Sequence, residues 1–217
     1  GLEKIKISNY LGFNIENSTS EISNNVYENF KSVQLFYELY YQLFKSNNYE
    51  SDKIFSISAK FFLGYKKQLD NRYTKNNFDI DIFKKTKLSS KTSLFSNIKY
   101  EKLISQNLVN NEMIRFGGAE SIRGFIDQSI SANEYFLSRN DVKFMLNNSF
   151  SLIGIIDYAY YVNDILNSMK NIYSLGIGFN LLNDKNLISL NYASGSDFNQ
   201  KLNFKNARLS INFVTFF

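Results

Sequence analysis

The segment 115–125 reads Arg115-Phe116-Gly117-Gly118-Ala119-Glu120-Ser121-Ile122-Arg123-Gly124-Phe125. Its chemistry is recognition rather than bond breaking. A guanidinium is a permanent cation with a planar fork of donors, and glycine tolerates positive φ and close approach of another chain segment. The sequence holds no His and no Cys. A Ser-His-Asp or Cys-His nucleophile is therefore excluded, and so is an ordinary structural zinc site. Disulfides are excluded as well. Paired carboxylates could still do acid–base work, but no segment marks a cleft for them. The chain is read as non-catalytic, with no metal or cofactor implied.

The elements that must hold such a segment show in a period-two alternation. From 173 to 183 the odd positions Tyr173, Leu175, Ile177, Phe179 and Leu181 are apolar, and Ser174, Gly176, Gly178 and Asn180 between them are small or polar. Residues 55–66 repeat this, with Phe55, Ile57, Ala59, Phe61, Leu63 and Tyr65 on one face. The chain's end repeats it with Leu209, Ile211, Phe213 and Phe217. Segments 4–15, 33–44, 78–85, 94–104, 133–146, 149–161 and 187–194 alternate with more noise. The total is about ten strands, most near the ~9–11 residues that cross a bilayer when tilted. No apolar run reaches the ~18 residues of a membrane helix.

A soluble sandwich also alternates, but its strands average about 5–6 residues between Gly and Pro turns. Here Pro is absent. The polar face carries Lys60, Lys66, Lys99, Glu101, Asp141 and Lys143, which suits a hydrated lumen. Tyr10, Tyr65, Tyr100, Tyr160, Tyr161, Tyr173, Tyr192, Phe216 and Phe217 stand near strand ends, as interfacial girdles would. The fold class expected is all-β, a transmembrane antiparallel β-barrel. Leu175, Ile177, Phe179, Leu209, Ile211 and Phe213 should then face lipid, and Ser174, Gly178, Arg208 and Asn212 the lumen. Lys and Arg number 25 against 20 Asp and Glu, a net charge of +5. These charges are scattered rather than gathered in a stripe, so nucleic acid is not expected as a partner.

The connections alternate in length, read back from the last strand. Links 183–186, 147–148 and 89–92 are short, while 196–206, 164–171 and above all 106–132 are longer. Outer-membrane barrels pair short periplasmic turns with long outer loops. This parity places the C-terminus on the periplasmic side.

The segment within the longest loop resembles the signature loop of the outer-membrane protein assembly and translocation superfamily, which includes BamA, TamA and the two-partner-secretion transporters. The shared pattern is aromatic-x-Gly-Gly-x-x-Ser-aliphatic-Arg-Gly-aromatic, met here by Phe116, Gly117, Gly118, Ser121, Ile122, Arg123, Gly124 and Phe125. The resemblance implies that the loop folds back into the barrel and that its Arg meets acids on the inner wall. The matching acids are Asp141 and Asp157. Alternation agrees, because Val142, Phe144, Ile156 and Tyr158 belong to the apolar faces of their strands. One departure is Tyr158-Ala159, where relatives often carry Ala-Gly.

The ending with Leu209, Ile211, Phe213 and Phe217 is similar to the terminal-strand signal of outer-membrane barrels, an edge strand that offers its backbone until closure. The family barrel is sixteen-stranded and preceded by POTRA domains, with no POTRA pattern in this chain. The opening Gly1-Leu2-Glu3 is read as the result of processing or as part of a longer protein. Residues 1–217 are therefore expected to be one barrel domain or its C-terminal portion, with a closed ten-stranded barrel as the alternative. The implied function is insertion or translocation of other proteins, with lipid, protein clients and further complex subunits as partners. A passive pore or accessory barrel subunit is the competing reading.

Overall fold

The computed structural model describes residues 2–19, 28–47, 50–183 and 186–215. Ten strands form one antiparallel sheet: β1 (Leu2–Ser18), β2 (Phe30–Asn47), β3 (Glu50–Gln68), β4 (Asn71–Lys87), β5 (Thr92–Ser105), β8 (Glu134–Met145), β9 (Phe150–Asn163), β10 (Ser168–Leu182), β11 (Asn186–Asp197) and β12 (Arg208–Thr215). Each pairs with its sequence neighbour, and β5 pairs with β8 across the long loop. Two short strands inside that loop, β6 (Ile114–Phe116) and β7 (Ile130–Ala132), pair only with each other. Among the described residues β1 and β12 do not pair, so the sheet is open.

Alternation fixes the two faces. Residues in register share a face. Phe179 lines up with Leu190 and Ile177 with Tyr192, and these in turn with Ile211 and Leu209 of β12. The outer face is a wide apolar surface on which Ile5, Leu11, Leu63, Ile156, Ile177, Leu209, Ile211 and Phe213 are exposed, Ile177 to 70%. A face this apolar is stable only against another apolar phase, because soluble proteins rarely expose large contiguous apolar patches. Ser174, Gly178, Arg208 and Asn212 fall on the inner face by the same register.

Several expectations are corrected. Tyr161 shares parity with Asp157 and Ala159, so it points inward and meets Phe116 of the loop. Tyr10 pairs with Glu38 in the inner row. Neither can belong to an outer girdle. Strand β10 begins at Ser168, which leaves 164–167 as a tight turn rather than a longer link. The 69–70 link, on the side of the long loops, is also tight, with Leu69 at φ 52°. Lys66, expected in a hydrated lumen, is fully buried. Phe216 and Phe217 lie outside the described residues.

Candidate functional site

The long loop leaves β5 at Ser105, lies on the inner face and returns at β8. Its middle is the β6–β7 ribbon, closed by the turn that carries the glycines. Gly117 and Gly118 have φ of 118° and 90°. The Gly118 N–H donates to the Ile122 carbonyl at 3.1 Å, and Gly117 N–H donates to Ser121 Oγ at 3.2 Å. An added Cβ on Gly118 would lie 2.6 Å from Asp127 Oδ1. The motif is thus a folded turn whose glycines are sterically required.

Under this turn is a small apolar core. Phe116, Ile122 and Ala132 of the loop pack on Tyr135, Leu137, Ala159 and Ile172 of the inner wall, with Ile114, Phe125, Ile130 and Tyr161 at its margin. Phe116 stacks on Tyr135 with ring centroids 4.5 Å apart. This packing explains why β8–β10 carry apolar residues on their inner face, where period two alone reads as polar lumen.

Ile122 is followed by Arg123, which the core directs at the wall. The Arg123 guanidinium donates from Nε to Asp157 Oδ2 at 2.8 Å and from Nη2 to Oδ1 at 2.6 Å. The Arg123 backbone N–H adds a third bond to Oδ2 at 3.1 Å. Ser174 Oγ donates to Asp157 Oδ2 at 3.4 Å. Asp141 makes a charge contact instead, with Oδ1 2.6 Å from Nη1 but without hydrogen-bond alignment. Arg123 is 4% and Asp157 1% exposed. Burial opposes the Arg123 charge, but the hydrogen bonds and attraction of Asp157, then the attraction of Asp141, outweigh it and hold the guanidinium above its ordinary pKa. The fork geometry is the bidentate pairing that makes Arg specific for carboxylates.

After Arg123 the chain crosses to β11. Gly124 sits at φ 82°, and a Cβ there would stand 2.5 Å from Gly195 N. Phe125 lies over Gly195, where a Cβ would strike the ring. The loop tip therefore rests on β11 beside Ala193–Arg208, the last register pair of β11 with β12.

Three features lay outside the sequence reading. Arg139, in register with Asp157, donates Nη1 to the Glu120 carbonyl at 2.8 Å and Nη2 to the Ala119 carbonyl at 3.0 Å. Its parity with Asp141 is the signal that could have found it. Gly195, the rest for the tip, has only its small size to mark it. Glu112, at the loop's base, has no signal in spacing at all.

The opposite wall, β2–β5, is free of the loop tip and carries opposed charges. Lys60 Nζ is 3.2 Å from Glu38, and Lys99 Nζ is 3.0 Å from Glu101 and 3.7 Å from Asp79. Glu38, Lys60, Asp79 and Lys99 line a cavity of about 500 Å³ together with Ser58, Asp81 and Asn97. Of the terminal-strand residues, Leu209, Ile211 and Phe213 project from the outer face of β12, and Phe217 lies outside the described residues.

The sequence model of the haemolysin secretion/activation protein family ShlB/FhaC/HecB matches residues 15–181. No curated protein matches the chain.

Proposed function

This chain belongs to the haemolysin secretion/activation family ShlB/FhaC/HecB, a family of outer-membrane β-barrels for protein transport, and we propose that it carries a secreted protein client across that membrane. The observation that supports this reading most is the loop, a buried, charge-clamped segment lying on the inner wall of a sheet whose outer face is apolar. A passive pore needs no such internal structure. In this reading residues 1–217 are one barrel domain or a portion of one, and the short links 88–91 and 146–149 face the periplasm together with the C-terminus. Strand β12 is one side of a seam, where its free edge can pair with a client strand. Bilayer lipid covers the outer face. Asp141 and Asp157 hold the loop Arg, and no cofactor takes part.

The test is release of a client. The intact protein, expressed in an outer membrane beside its secreted substrate, should deliver that substrate to the medium, and Arg123→Ala should lower release by about tenfold at equal barrel level. Ion leakage without client release, unaffected by Arg123→Ala, would identify a passive pore.

A further inference from the structure

The loop is fastened at a second place, on the wall facing away from Asp157. Glu112, at the head of the loop, is buried between β3, β4 and β5. Its Oε1 accepts from Lys66 Nζ at 2.5 Å and from the Val109 N–H at 3.0 Å, and both oxygens accept from Ser105 Oγ at 3.1 Å. Lys75 Nζ stands 3.9 Å from Oε2 and 2.7 Å from Glu16 of β1. Lys66 also donates to the Asn107 carbonyl at 2.7 Å. The Phe30 ring covers both ammonium groups, at 4.5 Å from Lys75 and 5.7 Å from Lys66. Next to Glu112, the Asn111 Nδ2 donates to Ser18 Oγ and to the Glu28 carbonyl, each at 2.8 Å.

Two cations and two carboxylates balance, and the side chains of Lys66 and Glu112 have no solvent exposure. Such a cluster is poor at adding stability, because desolvation consumes most of the attraction, but it is strict about geometry. It holds if Glu112 is seated and leaves orphaned charges if it is not. The two fastenings stand on different strands and share no residue. Glu112 joins the loop to β3–β5, and Arg123 joins it to β8 and β9.

We propose that Glu112 is an independent positioning residue for transport: it seats the loop's first limb, 106–113, so that the loop is strapped across the lumen from β3 to β11, and this limb must lift from its seat when a client passes. The inference rests on the transport reading above, and its test separates the two.

The chain has no cysteine, so a single Asn110→Cys reports on the limb in the intact, membrane-assembled protein. Glu112→Gln should raise maleimide labelling at position 110 by about tenfold and make large-conductance openings more frequent in a planar bilayer. Arg123→Ala should leave that labelling within about twofold. If Glu112→Gln fails to assemble, the seat can be locked after assembly instead, by bridging Ser18→Cys and Asn111→Cys with a short bifunctional thiosulfonate. The bridge should suppress openings and client release by about fivefold, and a reductant should restore both. Unchanged labelling in Glu112→Gln, equal labelling in Arg123→Ala, or a bridged protein that conducts and releases client like the unbridged one would overturn the proposal. A bridge that silences openings in a protein releasing no client in either state would keep the seat and remove the transport reading.

Discussion

At the residue scale, the pair of Arg123 and Asp157 carries more weight than an exposed lumenal ion pair would. Asp157 accepts three bonds from one residue and a fourth contact from Ser174. Removing the guanidinium leaves a buried carboxylate uncompensated. Arg123→Ala is therefore expected to cost about 3–5 kcal/mol, and Arg123→Lys to recover part of it, because an ammonium cannot fill a bidentate site. Heat-induced unfolding of the barrel measures this. A double-mutant cycle with Asp157→Asn should show coupling of about 2 kcal/mol or more, and additive losses would mean the pair contributes nothing as a pair. The contact at Gly195 gives a second expectation. Gly195→Leu should displace the Phe125 ring and loosen the tip, and adding Phe125→Ala should recover much of the loss by making room. Proteolysis rates in the loop would report both changes. The sequence displayed Arg123 and its two acids through the motif and the strand parity. It did not display Glu112, whose partners are supplied by β3, β4 and β5 at separations that no local pattern records.

At the element scale, all ten sheet strands were legible, because a sheet with one face in lipid enforces period two along its whole length. The lapses on the inner wall of β8–β10 have one cause, the loop. Where it packs, the inner wall of β8–β10 turns apolar at Leu137, Ala159 and Ile172, and parity no longer sorts lipid from lumen. Tyr161 was misplaced for that reason. The ribbon β6–β7 has three residues in each strand, too few for any periodicity to show. Strand β10 is the clean case for a test. Ile177 projects from the outer face, and Asn180 from the inner. Ile177→Arg should cost about 2–4 kcal/mol if it lies near the midplane, whereas Asn180→Arg should cost under about 1 kcal/mol. Equal losses in denaturant titrations of the folded barrel would contradict the assignment of the two faces.

At the scale of the whole molecule, the open sheet leaves β12 as an edge with its outer side chains exposed. Its register with β11 runs from Asn186–Thr215 to Ala193–Arg208, and it stops where the loop tip rests on Gly195. An edge in a bilayer cannot remain unpaired, since each unsatisfied backbone group costs several kcal/mol. Assembly must therefore deliver β12 to a partner strand, and its apolar face must lie in lipid while this happens. A charge at Phe213 opposes that step directly: the residue pairs with Ile188 and projects from the outer face. Phe213→Asp combined with deletion of Phe217 should lower the level of heat-resistant, membrane-inserted protein by about tenfold or more. Lys201→Asp, in the exposed link between β11 and β12, changes charge by a larger amount but touches neither the edge nor the bilayer, and it should leave that level unchanged. If both variants reached the membrane equally well, β12 would not be the strand on which closure depends. If only the first failed, the defect would lie in the edge itself and not in the net charge of the chain.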